Sequence, residues 1–179
     1  MGNAIAMTEL SSIAAGIETA DAMVKAANVE LIHAATICPG KYIAIVHGSV
    51  GAVRASLNSG VQCAGQYLVD SLFIPNIDPQ ICPAIMMTTK PALTGALGVL
   101  EYFSVAAAIM AADVAVKAAN VTLIEIRTGY AIGGKGFVTL TGDVGSVRAA
   151  VEAAEKEQQL LVKTTVIPKP SPQLFEKLI

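Results

Sequence analysis

Thiols, carboxylates and one glycine-rich loop ending in lysine are the groups in this chain with chemistry to offer. Cys38 is the sharpest of them. It stands in the tight turn Cys38-Pro39-Gly40, directly after an apolar run that ends at Ile37. A lone cysteine in that setting is first of all a small packing residue, but its thiolate is also the ligand type that iron–sulfur clusters use. Cys63, in Val61-Gln62-Cys63-Ala64-Gly65, falls inside a helical pattern and is expected in the core. Cys82 precedes Pro83 without a partner at metal spacing and is expected to be structural. The segment from Gly129 to Lys135 fits G-x-x-x-x-G-K, yet Gly136 replaces the Ser or Thr that would hold Mg²⁺. A strand pattern comes next, not the helix whose N-terminus a phosphate needs. A flexible loop is therefore expected there. His33 and His47 lie in strand patterns with no Cys or Asp beside them, which points to surface or interface positions. Glu9 and Glu101 recur at the end of a first strand. A single carboxylate without a partner predicts a structural hydrogen bond, not acid–base work.

The elements that position these residues must come from an unusual composition. The chain has 179 residues, 12 basic and 14 acidic, for a net charge of −2. No basic stripe is available for nucleic acid. Charged residues make up only 15%, below the roughly 25% of ordinary soluble domains. Hydrophobic residues make up 54%, yet aromatics are 4% and Trp is absent. The apolar mass is thus Ala, Val and Ile, which predicts closely packed helices and surface buried against other subunits. A membrane span needs about 20 consecutive apolar residues; Glu101 and Asp113 interrupt the best stretch, Val99–Val116. The N-terminus has no cationic region, and Ala6 stands where a myristoylation signal wants Ser or Thr. Three cysteines without a CxxC motif make no disulfide framework and suit a reducing compartment. A cytoplasmic chain is expected.

Internal duplication is the strongest organising signal. Ala4–Ile32 and Ala96–Ile124 agree at 16 of 29 positions at an offset of 92, and Lys25-Ala-Ala-Asn28-Val29 returns intact as Lys117-Ala-Ala-Asn120-Val121. Downstream the offset becomes 94, so the second repeat carries two extra residues. Gly40–Ala55 and Gly134–Ala149 then agree at 8 of 16 positions. Two repeats of this length predict tandem domains, 1–90 and 91–179, with the boundary near Thr88–Thr94 where Thr, Lys, Pro and Gly cluster.

Each repeat reads as strand, helix, two strands, helix, strand. The first helix spans about Ser11–Ala27, with Ser11 or Ser12 as its cap, Ile13, Ile17, Ala20, Val24 and Ala27 on one face, and Asn28 suited to a left-handed stop. Ser49 and its counterpart Asp143 cap the second helix, whose expected stripe is Val50, Val53, Leu57 and Val61. The pattern βαββαβ with one hairpin predicts an α/β fold, an α+β sandwich with a four-stranded, mainly antiparallel sheet and helices on one face. Ser171–Leu178 predicts a further short helix.

These residues resemble a family. The opening Ala-x-Gly-x-x-Glu strand (Ala96, Gly98, Glu101), the helix ending Asp-x-x-x-Lys-Ala-Ala-Asn-Val, the Gly-Asp-Val-Gly-x-Val start at Gly142–Val147 and the closing Val-Ile-Pro-x-Pro at Val166–Pro170 are similar to the shell-protein domain of bacterial microcompartments. The resemblance covers nearly the whole chain, twice, with the elements in unpermuted order. It implies a tandem shell protein, not an enzyme, that forms a homotrimer imitating a six-fold disc and tiles edge to edge with other shell proteins. Its place would be the shell of a cytoplasmic compartment, away from membranes.

The resemblance also implies roles. The pore loop maps to Ile37, Cys38, Pro39 and Gly40 in the first repeat and to Ile132, Gly133 and Gly134 in the second. Lys25 and Lys117 map to the disc edge that tiles neighbours. The family's usual Arg after the last Ile-Pro is replaced by Asn76 and Lys169. The segment Thr36-Ile37-Cys38-Pro39-Gly40-Lys41 resembles the loop of the iron–sulfur-carrying tandem shell proteins of propanediol-utilisation compartments. That implies one [4Fe–4S] cluster per trimer, held by three copies of Cys38, for electron transfer across the shell with a lumenal or cytosolic redox enzyme. Two alternatives stand beside it: a pore for small solutes without a cluster, and a soluble α/β enzyme or signalling trimer. The last lacks any convergent acid, base or nucleophile.

Overall fold

A computed structural model of the chain describes residues 4–91, 95–156 and 160–178. They fall into two compact units. The first is Met1–Cys82 together with Gly129–Gly134, and the second is Pro83–Thr128 together with Lys135–Ile179. Part of the expected boundary, residues 92–94, lies outside the described residues.

The first unit runs β1 (Ala4–Leu10), α1 (Ile13–Ala26), β2 (Glu30–Ile37), β3 (Lys41–Gly48), α2 (Val50–Ala64) and, after a 3-10 turn, β4 (Leu68–Ile74). A short helix the pattern did not suggest, α3 (Ile81–Ile85), comes after it. The second unit repeats the plan as β5 (Ala96–Tyr102), α4 (Val105–Ala118), β6 (Thr122–Thr128), β7 (Gly136–Gly142), α5 (Val144–Glu155) and β8 (Leu161–Ile167), and ends on α6 (Pro172–Leu178). The sheets have orders β2-β3-β1-β4 and β6-β7-β5-β8, and every ladder is antiparallel. The duplication extends to irregularities. Register shifts occur at Glu9/Leu10 and Glu101/Tyr102, and again at Leu31/His33 and Leu123/Glu125.

Local chemistry starts the helices, and the caps at Ser12, Ser49 and Asp143 are ones the sequence predicts. Ser12 accepts from the Ala15 N–H at 3.3 Å, Ser104 from Ala107 at 3.1 Å, Ser49 from Ala52 at 3.3 Å and Asp143 from Ser146 at 3.0 Å. The end of α1 differs from expectation. Asn28 makes no left-handed stop; Ala27 leaves the helix in extended backbone (φ −160), and the Val29 N–H donates to the Ala27 carbonyl at 2.9 Å. The chain turns straight into β2, so no left-handed residue is required. The Val121 N–H repeats the bond to Ala119.

The helix faces also differ. In α1 the buried residues are Gly16, Thr19, Ala20 and Met23, while Ile13, Ile17 and Val24 are exposed. In α2 they are Val53, Ser56, Gly60 and Ala64, while Val50 is exposed and Leu57 only partly buried. The two helices approach too closely for large residues between them. A Cβ on Gly60 would lie 2.6 Å from Met23 Cγ, and the Ser56 hydroxyl donates to the Met23 carbonyl at 2.8 Å. The core they share with the sheet is Ala4, Ala6, Ala20, Met23, Ala44, Val46 and Val53. In the second unit α4 is buried nearly all round, with Val105 and Ile109, the counterparts of Ile13 and Ile17, at 0% exposure.

Candidate functional site

Cys38 sits where β2 hands over to β3. The turn is closed by the Gly40 N–H, which donates to the Ile37 carbonyl at 3.0 Å, with Gly40 in the left-handed region (φ +82). The Cys38–Pro39 peptide is cis. Ile37 is buried and Cys38 half-buried. The backbone N–H of Cys38 donates to the carbonyl of Gly129 at 3.2 Å. Gly129 opens the second repeat's loop, and that loop, Gly129–Gly134, belongs to the first compact unit. Its far end returns to the same turn, since a Cβ on Gly134 would lie 2.5 Å from the Cys38 carbonyl oxygen and 3.6 Å from Lys41 Nζ. The two loops that the resemblance marked as pore lining are therefore in backbone contact. Gly134 is buried and Ile132 half-buried, whereas Gly133 is exposed and a Cβ there would meet nothing within 4 Å. The G-x-x-x-x-G-K segment leads into β7 and not into a helix, which removes the phosphate-binding geometry.

The lysines after the loop glycines carry the local electrostatics. Lys41 Nζ pairs with buried Glu9, and Lys135 Nζ pairs with Glu101 at 2.7 Å. The recurring first-strand carboxylates thus make the expected structural hydrogen bond, but to a lysine, where no partner was expected. The antiparallel β1–β3 and β5–β7 ladders bring Leu10 beside Tyr42 and Tyr102 beside Gly136, next to each lysine.

The other thiols lie elsewhere. Cys63 is exposed on α2, not in the core, because the inward face of that helix is Val53, Ser56, Gly60 and Ala64. Cys82 is half-buried on α3, where burial and then the negative charge of Glu30 push its thiol up to about 11. A thiol so hard to ionise is a poor metal ligand. His33 and His47 are half-buried on β2 and β3, and burial holds the His33 imidazole below its ordinary range. Among the described residues no group of three or more His, Cys, Asp or Glu comes together to hold a metal ion. One chain offers one thiol at the turn. Thiolate is the right donor for iron–sulfur chemistry, so a cluster fits here only where several copies bring Cys38 together.

Lys25 and Lys117 occupy the last turns of α1 and α4 and pair with Asp21 and Asp113, each at 2.5 Å. The Lys25 side chain is 74% exposed and that of Lys117 44%. The second unit also has a shallow cavity of about 270 Å³ lined by Val99, Glu101, Lys163, Thr164 and Thr165, which includes none of the predicted site residues. No described helix is long and apolar enough to cross a membrane.

The grip of Gly129 and Gly134 on the Cys38 turn has a single trace in the sequence. That trace is the pair of extra residues in the second repeat, which lengthens this loop relative to its counterpart.

The BMC domain family matches residues 4–77 and again 96–170. The bacterial microcompartment shell protein PduT of Citrobacter freundii is 44% identical over 182 residues, spanning 100% of this chain and 99% of that protein. The carboxysome assembly protein CcmO of Synechococcus elongatus is 33% identical over 185 residues, spanning 93% of this chain and 65% of that protein. Among solved structures, a microcompartment protein from Desulfitobacterium hafniense superimposes with a TM-score of 0.94 at 46% identity, over 98% of this chain and 99% of that one.

Proposed function

Because the chain belongs to the BMC domain family, and carries that domain twice, we propose that it is a homotrimeric shell tile whose central pore binds a [4Fe–4S] cluster through Cys38 of each copy. The starting point is given by kinship: the chain is a structural shell protein of bacterial microcompartments, of the PduT type, and not an enzyme.

Two features support the trimer. The first is the doubled domain. The second is the unequal burial of equivalent helix faces, since Ile17 is 56% exposed while Ile109 is 0% exposed. Closely related folds whose counterpart faces differ in this way leave one apolar face for a second copy to cover.

The observation that carries the pore reading is the contact between the Cys38 turn and Gly129–Gly134, which gathers Ile37, Cys38, Pro39, Gly40 and the second loop at one place. Three copies about an axis would bring three thiolates together, where mutual repulsion disfavours them unless a cationic group neutralises them. A bound cluster would supply one-electron transfer at the pore, to a lumenal or cytosolic redox enzyme. Cys38 supplies the thiolate, Pro39 stiffens the turn, and the partly open position of the thiol leaves it reachable from the pore. Lys25 and Lys117 are the edge residues that meet other shell proteins.

Anaerobic iron and sulfide assay of purified protein tests the cluster. Cys38→Ser is expected to lose brown colour, iron and sulfide together, while Cys63→Ser and Cys82→Ser keep them. In mixed trimers the cluster content should fall steeply, close to the cube of the wild-type mole fraction; a linear dependence refutes a shared site. A second reading, a solute pore without a cluster, draws on the single thiol that each chain brings to the turn. Wild-type protein free of iron and sulfide would establish it.

A further inference from the structure

The loop Gly129–Gly134 holds the Cys38 turn from both sides of one residue. The Cys38 N–H donates to the Gly129 carbonyl at 3.2 Å, and the Cys38 carbonyl lies so close to Gly134 that a Cβ there would stand 2.5 Å from its oxygen and 3.4 Å from its carbon. The loop reaches both contacts through backbone that side chains disfavour: Gly129 (φ 90), Ala131 (φ 59), Gly133 (φ 69) and Gly134 (φ 78) are all in the left-handed half of conformational space. The extra length that the second repeat has here relative to the first is what lets the loop touch both peptide groups of Cys38. None of its residues is a thiol, imidazole or carboxylate, so it adds no thiolate to that of Cys38.

We propose that Gly129–Gly134 is a positioning clamp for Cys38, which fixes the direction of the thiol before anything binds to it. Its bearing on a cluster rests on the pore reading above; the clamp itself does not. A ligand held on a preset backbone loses less freedom on binding than one on a mobile turn. Gly134 is then a positioning residue, required for its lack of a Cβ and for its φ, while neighbouring Gly133 is required only for its φ.

That difference provides the test. In full-length, metal-free protein carrying Cys63→Ser and Cys82→Ser, Gly134→Ala is compared with Gly133→Ala. Both place alanine in left-handed backbone, but only the first pushes a methyl group into the Cys38 carbonyl. Amide hydrogen exchange at Cys38 and the alkylation rate of its thiol are measured alongside the melting temperature. Gly134→Ala should speed Cys38 exchange by about tenfold and change the alkylation rate, while Gly133→Ala stays close to wild type on both. Equal effects from the two variants, or an unchanged Cys38 amide in Gly134→Ala, overturn the clamp. Should Gly134→Ala not fold, two glycines inserted after Ala131 loosen the loop without a clash. They must speed Cys38 exchange in the same way, and unchanged exchange there overturns the clamp equally. Anaerobic reconstitution separates this from the cluster reading. Wild type without iron removes the cluster and leaves the exchange result standing; wild type with a cluster that Gly134→Ala loses joins the two.

Discussion

Lys41 and Lys135 make the same ion pair in sites of different depth, and the difference is measurable. The Glu9 side chain is 4% exposed and Lys41 23%, whereas Glu101 and Lys135 are 35% and 36% exposed. Removing Lys41 strands a carboxylate in the interior, and Lys41→Met is expected to cost about 2–4 kcal/mol. Glu9→Gln leaves a lysine able to reach water and should cost about 1 kcal/mol. Lys135→Met, at a half-open pair, should cost less than about 1 kcal/mol. Denaturation of the three variants checks the order, and equal costs for Lys41→Met and Lys135→Met would contradict it. The thiols make a second prediction. Cys82 has a thiol raised to about 11 by burial and Glu30, so its thiolate is scarce at neutral pH. Exposed Cys63 should alkylate first at pH 8, and Cys82 only as the pH climbs toward 11. A thiol whose pKa is raised by folding contributes stability below the ordinary thiol range, and that contribution is lost as pH rises through the folded value. Neither lysine–glutamate pair shows in the linear sequence, because each joins residues more than thirty positions apart.

At the scale of elements, α1 and α4 share a pattern and differ in surroundings. Apolar periodicity and the repeat locate both helices. They do not choose between two faces of α1, because Gly, Ala and Met on one side are as apolar as Ile and Val on the other. Close packing decides it: the gap between α1, α2 and the sheet admits Gly60 against Met23 but no larger neighbour. A matched pair of substitutions tests the consequence. Ile17→Lys should leave the far-UV signal intact and shift the assembly to smaller species. Ile109→Lys puts a charge into a fully buried site and should cost about 4 kcal/mol or more, lowering the melting temperature before assembly is reached. If Ile17→Lys leaves the assembled mass unchanged, α1 is not the face that a second copy covers.

For the whole molecule the prediction concerns assembly. Mass in solution should be that of three chains, and a stable monomer at micromolar concentration would leave Cys38 without symmetry mates and remove the pore site. Lys25→Glu with Lys117→Glu should preserve the trimer and abolish extended sheets seen by electron microscopy. Both lysines sit at helix ends beside an aspartate one turn earlier, so reversal also places like charges together. At Lys25, whose aspartate is 59% exposed, that local cost is only a few tenths of a kcal/mol; at Lys117 the aspartate is 6% exposed and the reversal costs more, so the melting temperature is measured beside the assembly. Loss of the trimer itself would move the two lysines to the subunit interface.

The amino-acid sequence by itself determined the duplication, the order βαββαβ, the caps at Ser12, Ser49 and Asp143 and the position of the Cys38 turn. Each of these arises from interactions within a few residues: a side chain reaching the next turn's N–H, a proline and glycine bending the chain, alternation along a strand. The tertiary structure alone decided which face of α1 is inside, that Cys63 points outward, that Glu9 and Glu101 hold lysines, and that Gly129 and Gly134 grip Cys38 across more than ninety residues of chain. These depend on which backbones approach closely enough to exclude a methyl group or to share a hydrogen bond. Distance in space of that kind is set by packing, and the order of residues along the chain carries no direct record of it.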